Sequence, residues 1–317
     1  MPRNIVREQL DHLWDVIVQN PEINISTEPD HLNDIASAEL NAVNIILPFF
    51  FCPLPAQVLA DNPIDLSCYR NSQQEDEQEL KFPEFNPPPD KIGSRISLCC
   101  PESTGIVVSR YVNNWALGFS RPGLGVERMI NDSDYMRHLS MPNPLLLGAD
   151  GAQTYGNFPR GPNAVFPHST VCPTQNFFAR DRIILYSELA TIIAAMRNGA
   201  KQPKVDPNAE DTQEALFKES EEFPVLILSY VGPQHARLLY ACMDRRQLVI
   251  RLSRLYSFER TDTASLDLFA RVLLNRPLTE WNPAWKSLGN FSPYSNSLVC
   301  FPKHISFLLH SHPISPA

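Results

Sequence analysis

No stretch of this chain is long and apolar enough to cross a bilayer as a helix. The longest apolar run, IILPFFFCPLPA at 45–56, is short and broken by prolines. The first twenty residues, MPRNIVREQLDHLWDVIVQN, have no continuous apolar segment, because Glu8, Asp11 and Asp15 interrupt it, and so do not form a signal peptide. These two absences lead to the expectation of a soluble, intracellular protein, cytoplasmic or nuclear, with no membrane partner. Its seven cysteines then read as reduced thiols.

Glycine is scarce and proline is not: 12 against 29 in 317 residues. Proline at that density shortens regular elements and implies long, semi-extended connections. A hydrophobic content of 43% with 20% charged residues excludes wholesale disorder, and the length suggests one or two domains. Basic residues are outnumbered 27 to 35, and the net charge of −8 argues against nucleic-acid binding by the whole surface. The imbalance is uneven. Residues 223–317 carry ten Lys+Arg and five Asp+Glu, or +5, which leaves −13 for residues 1–222.

The common catalytic and cofactor signatures are missing too. There is no GxSxG nucleophile elbow and no GxxxxGK[ST] phosphate loop. GLGVER at 123–128 lacks the third glycine of a dinucleotide fingerprint and follows Pro122 rather than a strand. Cys99 and Cys100 are adjacent rather than spaced as CxxC. Neither His168 with Cys172 nor His310 with His312 completes a zinc pattern. DSD at 132–134 reads as a solvated turn. No metal and no cofactor is expected.

Helical spacing of Val6, Leu10, Leu13 and Ile17 predicts a helix over 3–19, and a second is expected over 31–46. Residues 1–69 thus form a helical N-terminal segment, and 70–92, with QEDEQE and a triple proline, an acidic linker or loop. Residues 93–182 are dense in turn signals, with strands expected at RISLCC (95–100) and GIVVSRYV (105–112). Order returns over 183–280. A helix is expected from a Ser187 cap to Gly199, then strands at 224–230, 237–243 and 247–252, then a helix at 263–275. Residues 281–317 form a C-terminal extension. The expected fold class is α+β: a small antiparallel three-stranded meander flanked by helices, behind a proline-rich, less regular N-terminal part.

Two resemblances attach to the 183–280 module. The block FPVLILSYVGPQHARLLYACMDRRQLVIRLSRLYSFER, followed by DLFARVLL, resembles a segment of uncharacterised filamentous-fungal proteins over 187–280. That implies lineage and no catalytic residues. The helix, three strands, helix order also resembles the core of the PD-(D/E)XK nuclease-like superfamily, which holds a metal on an Asp and a Glu-x-Lys. The corresponding strand here, QLVIRLS, has neither Glu-x-Lys nor Asp-x-Lys. Asp244 and Glu222 remain as a displaced carboxylate pair.

Two candidate sites follow. His235, in the turn GPQHAR, is the one candidate acid/base, or else a polar loop residue. Arg237, Arg245, Arg246, Arg251 and Arg254, interleaved with Tyr240 and Tyr256, suit an anion, since guanidinium forks match carboxylates and phosphates. The alternative is that these arginines pair with the acidic part of the same chain. The functional expectation is a non-enzymatic interaction, regulatory or accessory protein with a protein partner. The alternatives are an accessory enzyme of a fungal specialised-metabolite pathway and a binder of polyanions, possibly a catalytically degenerate nuclease-like domain.

Overall fold

Val6 and Leu10, one helical turn apart, are buried on α1 (Ile5–Leu13), which continues through a π-helical turn at Trp14–Val18. The computed structural model describes residues 5–19, 50–65, 81–86, 101–119, 121, 149–156, 167–202, 215–244 and 247–277. The helix expected over 31–46, the strand at 95–100, GLGVER, DSD, Arg245, Arg246 and the extension at 281–317 lie outside the described residues.

A two-residue strand β1 (Phe51–Cys52) and a short α2 (Ala56–Asp61) precede α3 (Pro101–Asn113), which ends in a π-helical turn at Asn114–Gly118. GIVVSRYV is therefore helix, not strand. Its β-branched residues favour a strand locally, but Gly105, Val108, Ser109 and Val112 are buried at helical spacing, and that packing decides. Gly105 permits the close approach: a Cβ there would sit 3.3 Å from the Tyr230 carbonyl oxygen.

The sheet follows. Its strands are β2 (Ala149–Gly156), β3 (Ser169–Phe178), β4 (Val225–Gly232), β5 (His235–Asp244) and β6 (Gln247–Leu252), in that spatial order. A short β7 (Tyr256–Ser257) pairs with the start of β5, and β8 (Arg276–Pro277) pairs with β1. Between β3 and β4 runs α4 (Tyr186–Lys201), and α5 (Leu266–Leu273) follows β7. Pairing is antiparallel except between β3 and β4, which are parallel and joined through α4.

The three-stranded meander expected at the sequence level is thus β4, β5 and β6 of a larger mixed sheet. It continues through β3 and β2, which lie in the region read as irregular. STVCPTQNFF conceals β3 because Pro173 and five hydroxyl or amide side chains break any apolar alternation. The class remains a mixture of helices and sheet, but the sheet is covered on both faces. On one face α1, its π-helical turn and α4 pack on Val171, Ile227, Leu239 and Ile250. On the other, α2, α3 and α5 pack on Cys172, Leu228, Tyr230 and Leu238. All eight residues of β4 are buried, as expected of a strand paired in parallel beneath two helical layers.

No helix among the described residues is long and apolar enough to cross a membrane. Helix α4 begins one residue before the expected serine cap. Leu185 precedes its first turn, and the Glu188 carboxylate accepts the Leu185 N–H at 2.9 Å. Ser187, inside the helix, instead donates its hydroxyl to Gln175 on β3.

Candidate functional site

Residue alternation puts Arg237 of β5 on the face covered by α4, and the third residue of that helix is Glu188. The Arg237 Nε donates to Glu188 Oε1 at 2.8 Å, while a terminal nitrogen donates to Oε2. Both side chains are fully buried. The other terminal nitrogen of Arg237 donates to the Arg180 carbonyl at 3.1 Å. Arg237 is therefore inaccessible to an external anion. Its work is to fix the loop between β3 and α4.

The turn GPQH that opens β5 contains a cis Gly232–Pro233 bond, with Gln234 in the left-handed region at φ 62°. The Gln234 side chain is buried and donates to the Pro83 carbonyl at 2.6 Å. His235 is the first residue of β5, half-buried, with Nδ1 3.2 Å from the Pro233 carbonyl oxygen. The turn is a tied-down sheet corner, and among the described residues no second titratable side chain hydrogen-bonds to His235.

The loop fixed by Arg237 carries Arg180, Asp181 and Arg182, all exposed. Arg182 adopts a left-handed φ of 66°, a conformation non-glycine residues rarely hold. The Asp181 carboxylate accepts the Leu255 N–H at 2.8 Å, joining this loop to the segment after β6. That segment is held from its other side: Ser253, buried, donates its hydroxyl to the Arg254 carbonyl at 2.7 Å and accepts the Leu238 N–H at 2.9 Å. The result is a rim of exposed Arg180, Arg182 and Arg254 on two cross-linked loops at the carboxyl ends of the parallel strands. Ligands of open α/β sheets commonly bind at such an edge. None of the three guanidinium groups is in an ion pair among the described residues. The Arg254 guanidinium lies 5.2 Å from the Tyr256 ring centroid, and Phe178, two residues before Arg180, is 53% exposed.

Of the arginines singled out in the sequence, Arg254 reaches this rim, Arg237 lies beneath it, and Arg251 does not join it. Arg251 is half-buried on β6, 5.9 Å from the Tyr240 ring centroid. Arg260, farther along, pairs with Glu84 at 3.7 Å. Arg180 and Arg182 were missed because they lie outside the arginine-dense stretch. The ARDR tetrapeptide between a hidden strand and a recognised helix was the available signal. Glu222 and Asp244 are exposed at the opposite end of the β4–β5 pair, where the Glu222 carbonyl accepts the Met243 N–H at 2.7 Å. Among the described residues, no group of three or more His, Cys, Asp or Glu side chains could hold a metal.

His168 is buried between the rings of Phe50 and Phe51, and burial there pushes its pKa down to about 4. The Cys172 thiol, wholly enclosed, is pushed up by burial and is not a thiolate nucleophile. A shallow groove of about 230 Å³ is lined by Leu59, Ile64, Trp115, Arg121 and Asp267, and does not include His235. Its polar groups are tied to one another: Arg121 donates to the carbonyls of Trp115 and Asn62, and Trp115 donates to Asp267 at 2.9 Å. No family model, curated protein or solved structure matches the chain.

Proposed function

We propose that this chain is a non-enzymatic interaction protein that takes a negatively charged partner on the rim of Arg180, Arg182 and Arg254. One observation carries the reading: three exposed guanidinium groups, without ion pairs among the described residues, sit on loops anchored by a buried ion pair and two side-chain hydrogen bonds. Loops held in this way lose little freedom when a ligand arrives, so attraction is not offset by ordering. The net charge of −8 opposes a broad electrostatic attraction. Screening limits its reach to about 8–10 Å near physiological salt, so a local cluster can act against it.

The test is retention of the full chain on immobilised heparin across a salt gradient. Replacing the three residues together (Arg180→Gln, Arg182→Asn, Arg254→Gln) should abolish retention while the melting temperature holds. Asn is chosen at 182 because it tolerates the left-handed conformation. Unchanged retention of a folded triple variant would refute the reading.

A further inference from the structure

We infer that the partner of this rim is single-stranded nucleic acid, with backbone phosphates on Arg180, Arg182 and Arg254 and a base stacked on Phe178. The inference rests on the proposed anion-binding role and adds the chemistry of the ligand. Phe178 ends β3, registered opposite Gly232 of β4, two residues before Arg180. Glycine leaves its strand neighbour without a side chain to cover the ring, and Phe178 stays 53% exposed. Nearly every other large apolar residue described is covered, so a half-exposed ring two residues before Arg180 calls for an explanation.

An acidic peptide would use the arginines and leave Phe178 without a role. A nucleic-acid base uses both, because every base has a π-face and the phosphates flank it. The Arg254 guanidinium lies over the Tyr256 ring, 5.2 Å from its centroid, and is in no ion pair among the described residues. Arg180 and Arg182 flank Asp181, whose carboxylate is occupied by the Leu255 N–H. Arg182 itself holds a left-handed backbone, φ 66°. Unusual backbone of this kind is found where surrounding contacts hold a loop for a ligand. A single strand is favoured over a duplex because stacking on Phe178 needs an unpaired base.

Fluorescence anisotropy with the full chain and a labelled 12-nucleotide oligo(U) tests this. A duplex, an abasic strand of equal phosphate number, and polyglutamate serve as comparison ligands. Single strands should bind more tightly than all three. Phe178→Ala should weaken oligo(U) binding by about 5- to 150-fold, the range associated with one base stack, and leave abasic-strand and heparin binding unchanged. Phe178→Trp should retain binding, which separates lost stacking from lost folding. The triple arginine substitution should remove binding to every polyanion. If heparin binds through the arginines while Phe178→Ala leaves oligo(U) affinity unchanged, or polyglutamate competes equally, the nucleic-acid assignment is wrong and the anion rim stands. If heparin does not bind through the arginines, both fall.

Discussion

Arg237 on β5 and Glu188 in the first turn of α4 form a two-pronged ion pair, both side chains fully buried. The pair joins the sheet to the start of the crossover helix, and the remaining guanidinium nitrogen donates to the Arg180 carbonyl. Two buried charges cost desolvation that their attraction only partly offsets, so the pair is weak evidence of added stability. Its consequence is geometric: it sets where the β3–α4 loop runs.

Breaking the pair from one side should therefore be severe. Arg237→Met leaves Glu188 buried and unpaired, and a loss of about 3–5 kcal/mol is expected in urea unfolding. Combining it with Glu188→Gln should recover much of that loss, because no uncompensated charge remains and Gln can still accept the Leu185 N–H. A double variant as unstable as the single one would show that the pair's own attraction, rather than the stranded charge, dominates.

His168 supplies a pH signature. Enclosed by Phe50 and Phe51, its ring has a folded pKa of about 4, below the unfolded value near 6.5. Burial penalises the charged form, so the unfolded chain binds the proton first as pH falls. The neutral ring's contribution is complete above the unfolded pKa, declines as pH drops from about 6.5 to 4, and is flat below. The full difference is about 3 kcal/mol. Comparing unfolding of the wild type and His168→Leu between pH 7 and 4 isolates this contribution from the carboxylates, which titrate in both. Parallel curves would mean that the ring is not buried as described.

The elements legible in the sequence were those whose own pattern suffices. Strand β6 alternates, with Leu248, Ile250 and Leu252 inward, and α5 carries Leu266, Phe269 and Leu273 on one side. The helix α3 was not legible, because Ile106, Val107, Val108 and Val112 favour strand locally and only packing against β3 and β4 makes them helical. Nor was β3, whose hydroxyl and amide residues give no apolar alternation and whose partners lie outside the strand: Thr170 accepts from Asn275, and Gln175 from Ser187. The site divided in the same way. Arg254 could be read from composition, but separating it from buried Arg237 required knowing which face α4 covers. Arg180 and Arg182 are brought to Arg254 by the Asp181–Leu255 hydrogen bond, a contact over 74 residues that no local pattern announces.

The last prediction contrasts two buried serines. Ser229 of β4 lies opposite Arg237, fully enclosed, and its hydroxyl has no hydrogen-bond partner among the described residues. Burial without a partner forfeits the hydroxyl's hydration, so Ser229→Ala should leave stability unchanged or raise it by up to about 1 kcal/mol. Ser253, equally enclosed, bridges the Leu238 N–H and the Arg254 carbonyl. Ser253→Ala strands a buried backbone donor of β5 and should cost about 1–3 kcal/mol. It also removes the side-chain tie on the Arg254 carbonyl, although the Ser253 N–H still donates to the Leu238 carbonyl, so heparin retention should weaken even under conditions where the variant is fully folded. Urea unfolding and heparin elution on the two variants check both halves. Equal stabilities would show that the Ser253 bridge does not hold the loop, and the rim would then lose one of its anchors.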